Sequence, residues 1–313
     1  MREIVFILGA TCTGKSNVAA AAARELGGEI ISADSMQVYR GFDIGTAKLS
    51  RSEMGGIPHH LIDCCDPRET FSAGDFQREA EHLIEEIAGS GRLPIVAGGT
   101  GLYIRALLLG LAPAGPAGRD LRDRLRRRAE ERGIEAMHRL LGRLDPPMAE
   151  RLLPVDTQRV LRALEYRIGS GRRLSSAIAR NRFGGERFEA LKIGLAIPRA
   201  ELRRRIDRRV DAMFAAGLVD EVRGLLDAGV PRDAKAFRAI GYREILSYLQ
   251  KEVSLEETKE EIKRATKQYA KRQCTWFRRE PGIIWVEAIP FETARTEAIK
   301  LIKARGVGSP PCN

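Results

Sequence analysis

The sequence predicts an α/β protein: a P-loop-type parallel sheet core flanked by helices, with a helical insertion domain. Through the first third of the 313 residues, short β-type runs alternate with helical runs, which is typical of βαβ units on a parallel sheet. A glycine-rich phosphate-loop motif follows the first of these runs. The stretch 118–187 is instead charged and helical in pattern. We therefore predict an α/β core of residues 1–117 and 188–313, interrupted by a helical insertion at 118–187.

The predicted elements follow from local patterns along the chain. The first strand, Glu3–Leu8, is continuously apolar, as expected for a strand buried on both faces. Further strands are predicted at Glu29–Ala33, His60–Cys64, Leu93–Ala97, Leu191–Ile197 and Ile283–Val286. Helices are predicted at Asn17–Leu26, at about 72–90, across most of 119–180, and from Arg199 and Leu255 onward. Residues 112–118 are typical of a linker, and the tail 306–313 is expected to be frayed.

The composition argues against several classes of protein. Hydrophobic residues make up 43% of the chain, and no apolar run approaches the roughly 20 residues that span a bilayer. The five cysteines are odd in number and form no CxxC pair, which argues against a disulfide framework and a structural zinc site. We expect a cytoplasmic protein with no membrane partner, acting as a monomer.

The segment Gly9–Ser16 is a candidate phosphate-binding loop. It matches GxxxxGK[ST] between a buried strand and an alanine-rich helix, with Gly9, Ala10, Thr11, Cys12, Thr13, Gly14, Lys15 and Ser16. The backbone N–H groups of such a loop and the N-terminus of the following helix hold phosphate oxygens. Lys15 supplies a mobile positive charge, and the Ser16 hydroxyl is the usual Mg²⁺ ligand. The motif predicts a phosphate group but not which one, or which reaction.

Two further strand ends carry polar residues at the same edge of the sheet. Asp34 follows the second strand, and ligands of a doubly wound sheet bind outside the carboxyl ends of its strands. Asp34 is placed to act as a general base or to hold a metal through water; the alternative is that it caps the next turn. The glycines of 98–101 permit close approach of a ligand, and Thr100 offers a hydroxyl, unless this segment is an ordinary turn.

Taken together, these segments resemble the bacterial tRNA dimethylallyltransferases, also called tRNA isopentenyltransferases. The similar stretches occur in the order found in that family and span nearly the whole chain: Gly9–Ser16, Ser32–Lys48, Ile57–Asp63, Phe71–Phe76, Ala97–Leu111, Asp156–Glu165, Ala239–Glu244 and Thr266–Arg278. Ala10 stands where the family often has Pro, and Cys274 stands where it often has an aliphatic residue. Neither departure removes a donor, a base or a metal ligand.

The resemblance implies a reaction and its participants. Enzymes of this family transfer a dimethylallyl group from dimethylallyl diphosphate to N6 of the adenosine just 3′ of the tRNA anticodon, giving N6-isopentenyladenosine. The phosphate loop would hold the diphosphate with Mg²⁺, and Lys15 would stabilise the charge that develops on it. Asp34 aligns with the family's general base, and Thr100 with a residue that contacts the same base region. Arg238, just before the family's AIGY segment, is expected to contact the diphosphate.

The resemblance also implies which residues face the tRNA. They are Asp34, Ser35, Met36, Gln37, Thr100, Arg122, Gln158, Arg159, Val160, Leu161, Arg162, Lys271, Arg272, Gln273 and Arg278. The formal charge of +11 favours a polyanionic partner, although solubility is an alternative explanation of charge alone. Two basic clusters contribute, each also typical of a solvated helix face: the arginines of 119–128, and Lys263, Arg264, Lys267, Lys271 and Arg272.

Two other functions fit parts of the pattern. A small-molecule kinase of the nucleoside or shikimate type shares the phosphate loop and the sheet, but it would bind ATP and has no need of a basic helical insertion. A non-catalytic RNA-binding module explains the charge but not a complete phosphate loop with Asp34 opposite. His59 and His60 are adjacent, which suits neither the i,i+4 spacing nor the alternation of residues that share a metal, so no metal site is predicted there.

Overall fold

The computed structural model describes residues 3–111, 118–182 and 187–306. The chain divides into two compact units, Met1–Leu107 with Phe188–Asn313, and Leu108–Arg187. Apart from Gly118 and Gly306, the predicted linker and the predicted frayed tail lie outside the described residues. None of the described helices is long and apolar enough to cross a membrane.

The first unit is built on a parallel sheet. Its strands in the described residues are β1 (Glu3–Leu8), β2 (Gly28–Ala33), β3 (His59–His60), β4 (Leu93–Gly98), β5 (Glu189–Ala196) and β6 (Ile283–Glu287). Their order across the sheet is β3-β2-β4-β1-β5-β6, and every neighbouring pair is parallel. β1 lies between β4 and β5, which explains why its run from Ile4 to Leu8 is fully buried. The predicted α/β fold class is confirmed.

The third strand is shorter than the sequence predicts. The sequence indicates His60–Cys64, whereas β3 contains His59 and His60 alone. Leu61 and Asp63 have φ angles of 59° and 54°, in the left-handed region, so the backbone leaves the extended conformation there. The prediction of a five-residue strand is therefore wrong, because the apolar run continues into a turn.

Helices surround the sheet and form the second unit. In chain order they are α1 (Lys15–Leu26), α2 (Arg51–Met54), α3 (Ala73–Gly89), α4 (Gly101–Leu109), α5 (Arg119–Arg132), α6 (Ile134–Leu144), α7 (Pro146–Ala149), α8 (Thr157–Ser170), α9 (Leu174–Arg182), α10 (Arg199–Ala215), α11 (Leu218–Asp227), α12 (Tyr242–Leu249), α13 (Leu255–Arg278) and α14 (Phe291–Ala304). Ser72 and Ser254 begin α3 and α13 with capping boxes, and Gly27 ends α1 at a φ of 65°.

Two of the apolar clusters among the described residues position the elements around the phosphate loop. One packs α1 and α14 against the sheet. The other joins α10–α13 to the segment that follows β2, where the Phe42 and Tyr242 ring centroids lie 4.5 Å apart. Ala10 of the phosphate loop belongs to this second cluster together with Val210 of α10 and Ala270 of α13. The same packing therefore fixes two helices beside the phosphate loop.

The second unit is a helical assembly with its own core. Helices α5–α9 pack around residues that include Leu125, Leu141 and Leu164. Asp145 is fully buried and accepts hydrogen bonds from the backbone N–H (3.0 Å) and the hydroxyl of Ser175. A buried carboxylate is tolerated when its oxygens are bonded in this way, so Asp145 ties the first turn of α9 to the α6–α7 junction.

Candidate active site

The phosphate loop connects β1 to α1 through an unusual backbone. Gly14 and Cys12 have φ angles of 89° and 64°, and only glycine adopts this region without strain. Within the loop, the Thr13 hydroxyl donates to the Ala10 carbonyl (2.9 Å), and Lys15 Nζ lies 3.3 Å from the same oxygen. No side chain among the described residues caps the N-terminus of α1. Its unpaired N–H groups are therefore available to an anion.

Thr11 of the loop is held from two sides by distant residues. Its backbone N–H donates to Gln273 Oε1 on α13 (2.9 Å). Its hydroxyl accepts from Arg209 Nη1 on α10 (3.0 Å), and Arg209 Nη2 donates to the Thr46 carbonyl (3.2 Å). The loop amide of Thr11 is thus already engaged, and the remaining loop amides and the end of α1 are the donors left for a ligand.

The arginine beside the phosphate loop is Arg209, which the sequence analysis missed. Arg238 ends the short 3₁₀ helix Lys235–Arg238 and lines, together with Arg209, a cavity whose lining does not include Lys15 or Ser16, so its contact with a diphosphate stays a prediction. Arg209 lies in an arginine-rich stretch of α10, and its spacing does not distinguish it from its neighbours. The packing of α10 beside the loop singles it out.

Asp34 combines the two roles that the sequence left open. Its Oδ1 accepts the N–H groups of Met36 (2.9 Å) and Gln37 (3.4 Å), so one oxygen does cap the turn. Its Oδ2 has no hydrogen-bond partner in the part of the chain that the structure describes. The turn therefore orients the carboxylate while leaving one oxygen free to accept a proton.

Two cavities meet at Asp34. The small cavity, of about 70 Å³, is lined by residues of the phosphate loop, β2 and β3. The large cavity, of about 480 Å³, is lined mainly by α10, α12 and α13 with the segment after β2. Four residues line both: Thr11, Asp34, Thr46 and Arg209. One carboxylate and one guanidinium thus face two adjoining compartments, a small one at the phosphate loop and a larger one beyond it.

Lys15 lies in the small cavity with an unusual electrostatic environment. Burial lowers the pKa of Lys15, the Asp34 carboxylate raises it, and the Arg209 charge lowers it again. The net effect is a pKa below the ordinary lysine value. An anion bound in the cavity would offset both lowering effects, so the site favours a negatively charged ligand.

A group of side chains links α13 to the strand end at Thr100. Gln273 Nε2 donates to the Gly99 carbonyl (2.9 Å), so this side chain joins that turn to the phosphate loop. Burial and the nearby Asp34 charge raise the pKa of Tyr269 to about 12, and the Thr100 and Gln273 side chains partly oppose this rise. Gln273 is 7% exposed, and both ends of its amide are hydrogen-bonded inside the protein, to the Thr11 N–H and the Gly99 carbonyl. Its contact with tRNA stays a prediction.

The glycines of 98–101 make room for neighbouring parts of the protein, and Gly98 also lines the small cavity. A Cβ atom on Gly98 would lie 2.3 Å from the Ala33 carbonyl oxygen, and one on Gly99 would lie 2.3 Å from Gln273 Nε2. A Cβ atom on Gly101 would lie 2.4 Å from the ring of Trp276. These glycines let β2 and α13 approach the turn closely. Their effect on the site is to position Thr100, whose hydroxyl accepts the Ser35 N–H (3.2 Å).

His59 lines the small cavity, and His60 does not. His59 Nδ1 lies 2.8 Å from the Ile57 carbonyl, which requires a proton on Nδ1 and leaves Nε2 as an acceptor. This Nε2 atom is buried and has no hydrogen-bond partner among the residues that the structure describes. Burial lowers the pKa of His59, which keeps the ring neutral. His60 Nε2 instead pairs with Glu29 at 2.6 Å.

The small cavity has a donor set that fits a hydrated Mg²⁺. Ser16, Ser32 and Asp34 contribute oxygen atoms to its lining, and the unpartnered His59 Nε2 adds an acceptor. Within the described residues, no group of three His, Cys, Asp or Glu side chains could hold a metal alone. Mg²⁺ commonly keeps several waters and is held by one or two protein oxygens together with substrate phosphates. These residues suit that kind of site.

The predicted tRNA-facing residues of α8 divide between its two faces. Gln158 and Arg159 are exposed. Val160 and Leu161 are 0% and 8% exposed and belong to the core of the second unit. That this stretch of α8 faces the tRNA stays a prediction. An amphipathic helix buries the face that carries these two residues.

Helix α5 presents exposed positive charge. Arg122 pairs with the buried Glu165 (3.2 Å), and Arg162 of α8 approaches the same carboxylate (3.5 Å). Arg126 lies 3.9 Å from Asp123. Four further exposed arginines of α5 have no ion pair among the described residues: Arg124, Arg127, Arg128 and Arg132.

The basic cluster predicted on α13 is partly neutralised. Lys263 pairs with Asp211 of α10 (3.1 Å) and Lys267 with Asp207 (2.5 Å). Arg264 pairs with Glu261 of its own helix. The expectation of one continuous basic face is therefore corrected: the first half of the cluster binds α10 instead of remaining free.

The far end of α13 keeps its charge available. Lys271, Arg278 and Arg279 form no ion pair within the described residues. A surface cavity of about 520 Å³ is lined by Arg105, Gln268, Lys271, Arg272, Thr275, Trp276 and Arg279. The Arg105 guanidinium lies 5.1 Å from the centroid of the Trp276 ring. Cations beside an aromatic ring are typical of surfaces that bind nucleic acids through phosphates and bases.

The fold and the site define an α/β phosphate-loop enzyme whose two ligand compartments share a carboxylate. The family model for IPP transferase matches residues 37–280 of this chain. A tRNA dimethylallyltransferase from Geobacter sulfurreducens is 47% identical over 95% of this chain and 96% of its own length. These matches confirm the resemblance drawn from the sequence, and the chain belongs to the IPP transferase family.

Solved structures agree with this assignment. The tRNA isopentenylpyrophosphate transferase from Bacillus halodurans has a TM-score of 0.74 and 40% identity, with 97% of each chain covered. A eukaryotic dimethylallyltransferase acting on tRNA has a TM-score of 0.85 and 28% identity, covering 98% of this chain and 80% of that one. The relatives support a prenyltransferase over the kinase alternative.

Proposed function

We propose that the enzyme transfers a dimethylallyl group from dimethylallyl diphosphate to N6 of the adenosine 3′-adjacent to the tRNA anticodon, giving N6-isopentenyladenosine. The observation that carries this proposal is the meeting of two cavities at Asp34. The small cavity offers Lys15, Ser16 and the uncapped α1 to a diphosphate, and the large cavity has room for a base. The names of the relatives support tRNA as the acceptor molecule and dimethylallyl as the transferred group. The adenosine and its N6 atom are what the family resemblance implies.

The chemistry follows from the groups at this junction. As the bond from the allylic carbon to the diphosphate oxygen breaks, a bond from that carbon to N6 forms. Lys15, Arg209 and the α1 N-terminus stabilise the charge on the departing diphosphate. The free Oδ2 of Asp34 accepts the N6 proton, which makes a weakly nucleophilic amine reactive. Mg²⁺ held by Ser16 supplies further charge neutralisation when it is bound.

The exposed cations provide the RNA contacts in this proposal. A base must leave its stack to enter the large cavity, at a cost of a few kcal/mol, and phosphate contacts offset that cost. We assign these contacts to Arg122, Gln158, Arg159, Arg162, Lys271, Arg272 and Arg278, with Ser35, Met36 and Gln37 nearer the target base. A tRNA substrate places the reaction in the cytoplasm; the monomeric state stays a prediction.

The direct test is incubation of the protein with an anticodon stem-loop RNA, labelled dimethylallyl diphosphate and Mg²⁺, followed by mass analysis of the nucleosides. We expect label in one adenosine, with the mass of the isopentenyl product. Dimethylallyl diphosphate should also raise the melting temperature more than ATP does. If the RNA remains unlabelled and only ATP raises the melting temperature, the proposal is refuted and the kinase alternative is favoured.

A further inference from the structure

We propose that His59 Nε2 accepts a hydrogen bond from a water molecule of the bound Mg²⁺–diphosphate, and so forms an outer, water-mediated part of the metal site. This inference rests on the proposed function, because it needs a diphosphate at the phosphate loop. It gives a role to a histidine that the sequence alone did not connect with a metal.

The strand register places His59 in line with the residues that surround the phosphate. β2 and β3 are parallel, and His59 pairs with Ile30. Side chains two residues apart on a strand point to the same face, about 6.6 Å further along. Ile30 and Ser32 therefore lie on the face that His59 shares, Asp34 follows the end of β2, and all four residues line the small cavity.

The hydrogen-bond geometry makes His59 an acceptor in need of a donor. Its Nδ1 proton is committed to the Ile57 carbonyl, so Nε2 presents a lone pair. That atom is buried and unpartnered within the described residues, a state that natural proteins normally avoid. The cavity beside it, at about 70 Å³, is larger than the roughly 30 Å³ that one water molecule occupies. A donor that fits is thus a water molecule.

The neighbouring groups indicate which water this is. Ser16 is the residue that the phosphate-loop motif assigns to Mg²⁺, and it lines the same cavity as His59. Mg²⁺ prefers oxygen ligands and gives up its waters reluctantly, so an imidazole nearby contacts the ion through water. Water polarised by a divalent cation is a stronger donor than ordinary water, and a neutral imidazole is a good acceptor for it. A plain buried water is the competing explanation.

The adjacent histidine offers a matched control. We would measure the Mg²⁺ dissociation constant in the presence of saturating inorganic pyrophosphate for wild type, His59→Leu, His59→Gln and His60→Gln. Loss of one hydrogen bond predicts about fivefold to tenfold weaker Mg²⁺ binding in His59→Leu. His59→Gln keeps an acceptor and should lose less. His60→Gln should bind Mg²⁺ like wild type, because His60 pairs with Glu29 outside the cavity.

The outcomes separate the inference from the proposed function. If pyrophosphate binds and His59→Leu holds Mg²⁺ as tightly as wild type, the water at His59 is an ordinary one and the inference is wrong. Equal weakening in His60→Gln would also overturn it. If pyrophosphate fails to bind the wild-type protein, the diphosphate site itself is wrong. If His59→Leu does not fold, the electron magnetic resonance spectrum of Mn²⁺ bound with pyrophosphate to the wild-type protein gives a second test. A nitrogen bonded directly to Mn²⁺, or no coupling to nitrogen at all, would contradict the inference.

Discussion

The phosphate loop and helix α5 both concentrate positive charge, but they hold it in opposite ways. Lys15 and Arg209 are partly buried, and both donate to atoms in or beside the loop. Arg127 and Arg128 of α5 are exposed and have no ion pair among the described residues. Charge fixed in a water-poor site stabilises a transition state, whereas exposed charge is screened by salt and acts mainly through counterion release. Substitutions in the two regions should therefore affect different measurements.

The largest effect is expected at Asp34, within the buried region. Asp34→Asn keeps the turn cap through its amide oxygen but cannot accept the N6 proton. The single-turnover rate should fall roughly 10²–10⁴-fold, the usual contribution of a positioned base, while tRNA affinity changes little. Rates across a Mg²⁺ series check the assignment. Full recovery at high Mg²⁺ would show that Asp34 organises the metal, and an unchanged rate would leave it as a turn cap.

Lys15→Ala should have the next largest effect. Losing a charge-assisted contact to the leaving diphosphate should lower kcat about 10²–10³-fold, with the protein still folded because the Lys15 ammonium serves the diphosphate and bonds only a loop carbonyl, that of Ala10, among the described residues. Rapid-quench kinetics measure the loss of turnover, and circular dichroism shows whether the variant is still folded. Near-normal turnover would remove the diphosphate role.

The pH profile of the wild type is a second measurement on Lys15. The pKa of Lys15 is lowered below its ordinary value of 10.5. The protonated form, which holds the diphosphate, is present below the folded pKa and lost as pH rises through it. The alkaline fall in kcat/KM should thus occur below pH 10.5 and be absent in Lys15→Ala. A fall that persists in the variant belongs to another group.

Gln273→Ala sharpens the comparison, because a residue predicted to face tRNA lies inside the protein. Removing its hydrogen bonds to Thr11 and Gly99 should loosen the phosphate loop. The KM for dimethylallyl diphosphate should rise about tenfold to a hundredfold, with unchanged tRNA affinity. Glu256→Ala, at an exposed residue in the first turn of the same helix, is the control. Weaker tRNA binding with a normal KM would instead support the predicted contact of Gln273 with tRNA.

The smallest effect on the chemical step is expected on α5. Replacing Arg126, Arg127 and Arg128 with alanine should weaken tRNA binding and flatten its salt dependence by about 0.7–0.9 log units per lost phosphate contact. Binding of dimethylallyl diphosphate should not change. Binding assays from low to high salt check this. A control with the same loss of charge uses three arginines paired with carboxylates: Arg204, Arg223 and Arg295. An equal salt slope in both triple variants would mean that α5 is a solvated face.

Much of the framework could be predicted because its signals are local. The continuously apolar β1 and the serine caps of α3 and α13 depend on residues within one turn or strand of each other. The phosphate loop is equally local, and Lys15 and Ser16 lie where its motif implies. The length of β3 was not predictable in this way, since an apolar run does not reveal the left-handed angles at Leu61 and Asp63.

The amino-acid sequence by itself determined most of the helices and strands, the phosphate loop and the family. The tertiary structure decided which side chains complete the site. Arg209 and Gln273 reach Thr11 across 198 and 262 residues, and no local spacing encodes such contacts. Burial of Val160 and pairing of Lys263 with Asp211 likewise depend on which helix faces meet. Local patterns reflect backbone preferences over a few residues, whereas these contacts form when cooperative packing of the cores brings distant elements together.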